Sequence, residues 1–259
     1  RKLAISSGAP SAVPALRCVF VHGIGVKGSS EPSSTPSPSG YWGAALEASL
    51  ASACHSFTYL HMDTASQGWD NPSLATAFCD GATNVGNLIT DTLVVAHGFG
   101  SLIVANALRT NECSLSFGAS WIELQDGLPY GRLLPFAHQF CEELARGDQP
   151  GGDVPPAATQ LQEDLYMCTP GTTLPSPAWS SLAFSNPLFD ASLESTVVHN
   201  VYASMCADEP NGVIGSAYLG VLKSVPVFAT AARDAALPSR CWADSTASSR
   251  GYTPDTSLY

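Results

Sequence analysis

Residues 93–108, LVVAHGFGSLIVANAL, open as an unbroken apolar run, cross two glycines within three positions, and resume with the apolar spacing of a helix. An apolar run of this length without polar alternation predicts a strand buried on both faces. The stretch reads as strand, tight turn at Gly98, and helix from Gly100 to Thr110.

The same grammar extends in both directions. ALRCVFVH (15–22) is a second doubly buried strand, YWGAALEASLASAC (41–54) a helix, FTYLHM (57–62) a strand, and NPSLATAFCDGATNVGNLI (71–89) a helix begun by Asn-Pro. Downstream, ASWIEL (119–124) reads as a strand and RLLPFAHQFCEELARG (132–147) as a helix ended by glycine. Strand and helix in turn predict the α/β class: a doubly wound, mostly parallel sheet with helices on both faces. A chain of 259 residues is expected to make one domain, 1–259. Two stretches break the rhythm. GSSEPSSTPSPSG (28–40) lacks the apolar area to order itself and is expected to be a loop. Residues 148–195, rich in proline, are expected to form a cap or lid over the sheet edge, where such folds bind ligands. After it, 195–206 reads as a late strand and 216–225 as a helix.

Composition narrows the partners. The formal net charge is -11, with no basic run to offset it, which argues against nucleic acid and anionic lipid surfaces. No uninterrupted apolar stretch reaches the roughly 18 residues of a membrane span. Charged residues make up only 13%, against roughly 25% in ordinary soluble domains. Such a surface suits a secreted protein or a subunit covered by neighbours. The chain starts at Arg1 without a hydrophobic leader, as expected of a mature form whose signal peptide has been removed.

Eight scattered cysteines without a C-x-x-C pair favour disulfides in an oxidising compartment over structural zinc. Loops of moderate length would pair Cys54 with Cys79, Cys113 with Cys141, and Cys206 with Cys241. Cys18, inside an apolar strand, is expected to be a buried free thiol; Cys168 is left open. The histidines show no metal-binding spacing, so neither a metal nor another cofactor is expected.

Taken in order, FVHGIGV (20–26) and AHGFGSLIVANAL (96–108) resemble the H-G turn and the nucleophile elbow of an α/β-hydrolase. The wider pattern resembles the secreted, cysteine-rich, lipase/esterase-like α/β-hydrolases of protists. Its carriers are Tyr41, Trp42 and Gly43; His97, Gly98, Phe99 and Gly100; Cys113, Leu115 and Trp121; Val201, Met205 and Cys206; and Asp234 to Leu237 followed by Cys241. The resemblance implies an oxyanion-type turn from the backbone of Gly23, Ile24 and Phe99, a nucleophile at position 98, and an acid at Asp234. His22 and His97 would flank a pocket for a small acyl ligand.

The chemistry is incomplete. Position 98 is glycine, and the last histidine is His199, so none follows Asp234. A Ser, Asp, His triad in that order cannot be built from this chain. Losing the nucleophile or the base alone costs about 10⁶-fold in turnover in a comparable triad. The nearest hydroxyl, Ser101, is expected to cap the helix that follows. The reading is a catalytically inactive α/β-hydrolase homologue, secreted, serving as a binding or structural subunit among other protein subunits. The alternative is a serine esterase or lipase whose nucleophile was replaced at position 98 and whose histidine lies beyond Tyr259. A third reading uses His97 and Asp234 in unconventional catalysis.

Overall fold

The computed structural model describes residues 16–27, 42–124, 133–147, 162, 165–183 and 185–205. The strands are β1 (Leu16–Val21), β2 (Cys54–Leu60), β3 (Leu88–Ile89), β4 (Thr92–His97), β5 (Ser114–Leu115), β6 (Ser120–Leu124) and β7 (Val201–Met205). The helices are α1 (Gly43–Leu50), α2 (Pro72–Ala82), α3 (Phe99–Arg109), α4 (Leu133–Gly147), α5 (Pro177–Ser180) and α6 (Ala191–Asn200). Five strands form one sheet in the order β2-β1-β4-β6-β7, every pair parallel, while β3 and β5 form a separate parallel pair.

Sequence explains why β1 and β4 sit in the middle. LRCVFV and TLVVAH are mostly apolar, so these strands tolerate cover on both faces, and the one charged residue, Arg17, reaches the carbonyls of Gly81 and Ala82 with its guanidinium. Alternation along β1 divides the core: Val19 and Val21 enter a large cluster with Ala96, Leu102, Phe78 and Trp121. Cys18 and Phe20 face the other way, against Tyr59, Val95 and the partly buried Trp42 and Leu46. Helices therefore cover both faces, and the α/β expectation holds as a parallel sheet flanked by helices.

The order has a functional corollary. From β1 the chain steps outward to β2, then returns to the opposite side of β1 to lay down β4. The carboxyl ends of β1 and β4 thus flank a topological switch point, the crevice where open parallel sheets bind ligands.

Two expected elements differ. The helix placed at 71–89 ends at Ala82, because Thr83 turns extended and Asn84 binds both the N–H and the carbonyl of Thr90 through its side chain. That closes a loop containing Gly86 at φ 60° and delivers β3. The strand placed at 195–206 is helix up to Asn200, and only then β7. Here local capping overrides the β-branched Ser-Thr-Val-Val run: the Asp190 carboxylate accepts from the N–H groups of Ser192 and Leu193, and Leu193 and Val197 are buried four residues apart. Of the 148–195 stretch, the described part packs inward: Met167, Ala178, Trp179 and Leu182 belong to the large core. The 28–40 loop and the 216–225 helix lie outside the described residues.

The cysteine pairing is corrected. Disulfides join Cys18 to Cys54, Cys79 to Cys113 and Cys141 to Cys168, at Cα separations of 5.7, 5.7 and 5.5 Å. Cys54 and Cys79 are therefore bonded, but not to each other; the same is true of Cys113 and Cys141. Cys18 is buried as expected yet not free. Adjacency in the fold decides: β1 pairs with β2, with Cys54 opposite Leu16 and a register shift before Arg17, which leaves Cys54 diagonally across from Cys18. In turn α2 packs beside α3, so Cys79 meets Cys113, four residues past the end of that helix. Cys206 and Cys241 lie outside the described residues.

Candidate functional site

The site is built from the carboxyl ends of β1 and β4. Gly98, between β4 and α3, has φ 50° and ψ -113°, a region that residues with a Cβ enter only under strain. Its N–H donates to the carbonyl of Leu124 at 2.9 Å, and its own carbonyl accepts from Ser101 N–H at 2.9 Å, opening the helix. The turn is thus held from both sides.

Gly100 is glycine for a different reason. A Cβ there would lie 2.5 Å from the carbonyl oxygen of His22 and 2.6 Å from that of Val21, so the first turn of α3 rests directly on the backbone of β1. This contact brings the Gly98 turn against the His22-Gly23 turn. Phe99 is the first residue of α3, with its ring buried in the core and its N–H among the first-turn donors of the helix.

Opposite, the turn after β1 is pinned by Thr64, a residue the sequence reading missed. Thr64 is fully buried; its hydroxyl donates to the Gly23 carbonyl at 2.7 Å and accepts from Val26 N–H at 3.1 Å. Its backbone exchanges bonds with Gly25 and Val26. The signal was faint: a polar Asp-Thr pair directly after an apolar strand.

His22 is buried, and both ring nitrogens are engaged. Nε2 accepts from Met62 N–H at 3.0 Å, while Nδ1 lies 2.9 Å from the Gly23 carbonyl and 3.4 Å from the Thr64 hydroxyl. That pattern requires the tautomer with the proton on Nδ1. Burial holds the ring neutral, pushing its pKa down to about 4, with His61 and His97 adding repulsion and the Gly23 carbonyl opposing. His97 is only partly buried and meets the Trp42 ring edge-on at 6.4 Å. Gly23 is buried and Ile24 half-buried on the same turn.

Ser101 does not cap the helix as expected. The N-cap is Gly98, with no side-chain cap bond, and the buried Ser101 hydroxyl lies 3.4 Å from the carbonyl of Ala96, back along β4. Asp234 lies outside the described residues.

A separate open cleft of about 700 Å³ lies beside the amino end of α2 and is lined by Gly68, Asp70, Asn71, Pro72, Ser181 and Asn186, among others. The Asp70 carboxylate accepts from Asn186 at 3.2 Å and the Asn71 side chain caps α2, so its polar groups also hold the fold. Among the described residues no cluster of three His, Cys, Asp or Glu could hold a metal ion. None of the described helices is long and apolar enough to cross a membrane.

No family model matches this chain, and no curated protein matches it. Among solved structures, the mature form of the lipase BlEst2 from Bacillus licheniformis is similar at 14% identity and a TM-score of 0.42, over 84% of this chain and 77% of that one. A likeness this remote fixes neither family nor activity.

Proposed function

We propose that this protein is an α/β-hydrolase homologue that keeps the elbow and lacks the chemistry, and that it serves as a secreted binding or structural subunit. The observation that carries the reading is the Gly98 turn: φ 50° and ψ -113° at the carboxyl end of β4, pressed through Gly100 onto the turn after β1. A nucleophile elbow has this strand-turn-helix form, and here its tip presents no side chain. Neighbouring groups support inactivity. The Ser101 hydroxyl is buried against β4, and both nitrogens of His22 are committed to the fold. Disulfides and a charge-poor surface support an extracellular setting shared with other subunits. The switch-point crevice beside His97, with Gly23, Ile24 and Phe99 as backbone donors, would take a small acyl group without turning it over, and residues 148–195 would cover it as part of the single domain.

The test is hydrolysis of short- and long-chain p-nitrophenyl esters by the full chain, together with sedimentation over a wide concentration range. The expected result is no turnover above buffer and self-association or capture by a partner. Ester cleavage that is lost in His97→Ala overturns the inactive reading; a monomer at every concentration that binds no partner overturns the subunit reading.

A further inference from the structure

The parallel register places three histidines in one row. Val21 pairs with Leu60 on β2 and with Ala96 on β4, so His22, one residue on, stands between His61 and His97. His61 and His97 are close enough to His22 to lower its pKa. The middle member is the one without room. His22 is 3% exposed, and its Nε2 holds the N–H of Met62, the residue after His61. Through that one acceptor, the turn after β1 is tied to the loop after β2, with Thr64 completing the tie from the loop side.

Protonation at Nε2 removes the acceptor outright, since an imidazolium has only donors. It would also set a positive charge beside His61 and His97, both of which disfavour it. Among the described residues the Gly23 carbonyl favours that charge, and burial together with His61 and His97 outweighs it. α3 contributes no ionisable side chain from Phe99 to Leu108 and directs its amino end, the positive end of its dipole, toward the row. On the loop after β2, the Asp63 carboxylate is occupied by the N–H groups of Ala65 and Ser66 and by the Ser66 hydroxyl. On the turn after β1, Lys27 sits over the Tyr166 ring at 4.3 Å. On α1, Glu47 acts on the Tyr59 phenol. Glu123 on β6 is buried two strands from His22, with a partner of its own.

We propose that the His61, His22, His97 row is an acid-triggered latch: protonation of His22 releases the Met62 N–H and loosens the tie between the turn after β1 and the loop after β2. The latch does not depend on the hydrolase reading. Its sign follows from the depressed pKa: the closed state binds fewer protons than the open one between about pH 6.5 and about 4, so closure weakens as pH falls through that window. If the open ring titrates near its ordinary value, the open population rises about 30-fold between pH 7.5 and pH 5.

The test uses the full chain with its disulfides intact and reads two quantities from pH 7.5 to 4. One is the His22 ring titration, by NMR of ¹³C-labelled histidine. The other is exchange protection of the Met62 and Thr64 amides, corrected for the intrinsic rate. The expected result is a His22 midpoint well below 6 and a fall in Met62 protection of about 30-fold by pH 5, with Trp121 and Ile122 on β6 unchanged. His22→Gln, which keeps an acceptor that cannot titrate, should flatten the Met62 response. Should that variant not fold, His61→Gln serves instead and should move the His22 midpoint upward. A His22 midpoint near 6.5, Met62 protection changing less than threefold, or equal loss at Met62 and Trp121 overturns the latch.

Discussion

Gly98 and Gly100 stand two residues apart and are required for different reasons, which substitution can separate. At Gly98 a Cβ meets backbone strain, so Gly98→Ala is expected to cost on the order of 1–3 kcal/mol. At Gly100 a Cβ meets the carbonyl oxygens of Val21 and His22, which cannot move without lifting α3 from the sheet. Gly100→Ala should therefore cost more, at or beyond the upper end of the about 1–3 kcal/mol typical of overpacking. Urea unfolding with the disulfides intact gives both values; a smaller loss for Gly100→Ala would contradict the contact. At this scale the sequence was half readable. The tip glycine stood out because the apolar run and the helix around it left room for nothing but a turn. The commitment of His22 did not, because its partner Met62 lies forty residues along the chain and the tie exists only once β1 and β2 pair.

Among the elements, the sheet strands were the legible part, since a run such as LRCVFV has one comfortable place, covered on both faces. Where short polar side chains set the ends, local pattern misled. The Asn84 side chain stops α2 early, and the Asp190 cap turns a β-branched run into α6. Such caps can be weighed directly. Asn71 accepts from Ser73 N–H at 3.0 Å at the start of α2, ahead of Pro72. Asn71→Ala is expected to cost about 1 kcal/mol, seen as a lower denaturation midpoint with an unchanged slope. The disulfide that fastens α2 to the end of α3 contributes more. It closes a loop of 34 residues, for which chain entropy gives about 3–4 kcal/mol. Replacing Cys79 and Cys113 together by alanine should remove about that much; a loss below 1 kcal/mol would mean that α2 and α3 hold one another without it.

On the scale of the whole molecule, the three disulfides among the described residues are consecutive: none of their loops nests in or crosses another. Their contributions should accordingly add, to roughly 11 kcal/mol against the 5–15 kcal/mol stability of a typical domain. Full reduction under denaturant, followed by dilution into reducing buffer at 37 °C, is expected to leave a chain without native far-UV circular dichroism. A reduced chain that regains its fold would place the stability in the core instead. No loop-length argument from sequence could have chosen these pairs, because eight cysteines allow about 105 full pairings and the adjacency of β1 with β2, and of α2 with α3, is what selects among them. The charge-poor surface, by contrast, was legible from composition alone.

Consecutive pairing also sets an order of manufacture. As a chain grows from its amino end, each of these cysteines finds its partner as the next one made, before any later thiol exists to compete. The bonds can then be tied in the order of synthesis, and none has to be broken to correct another. Oxidation during synthesis should proceed without help from a disulfide isomerase, whereas the same chain refolded from its fully reduced length must search among all the alternatives and should need one.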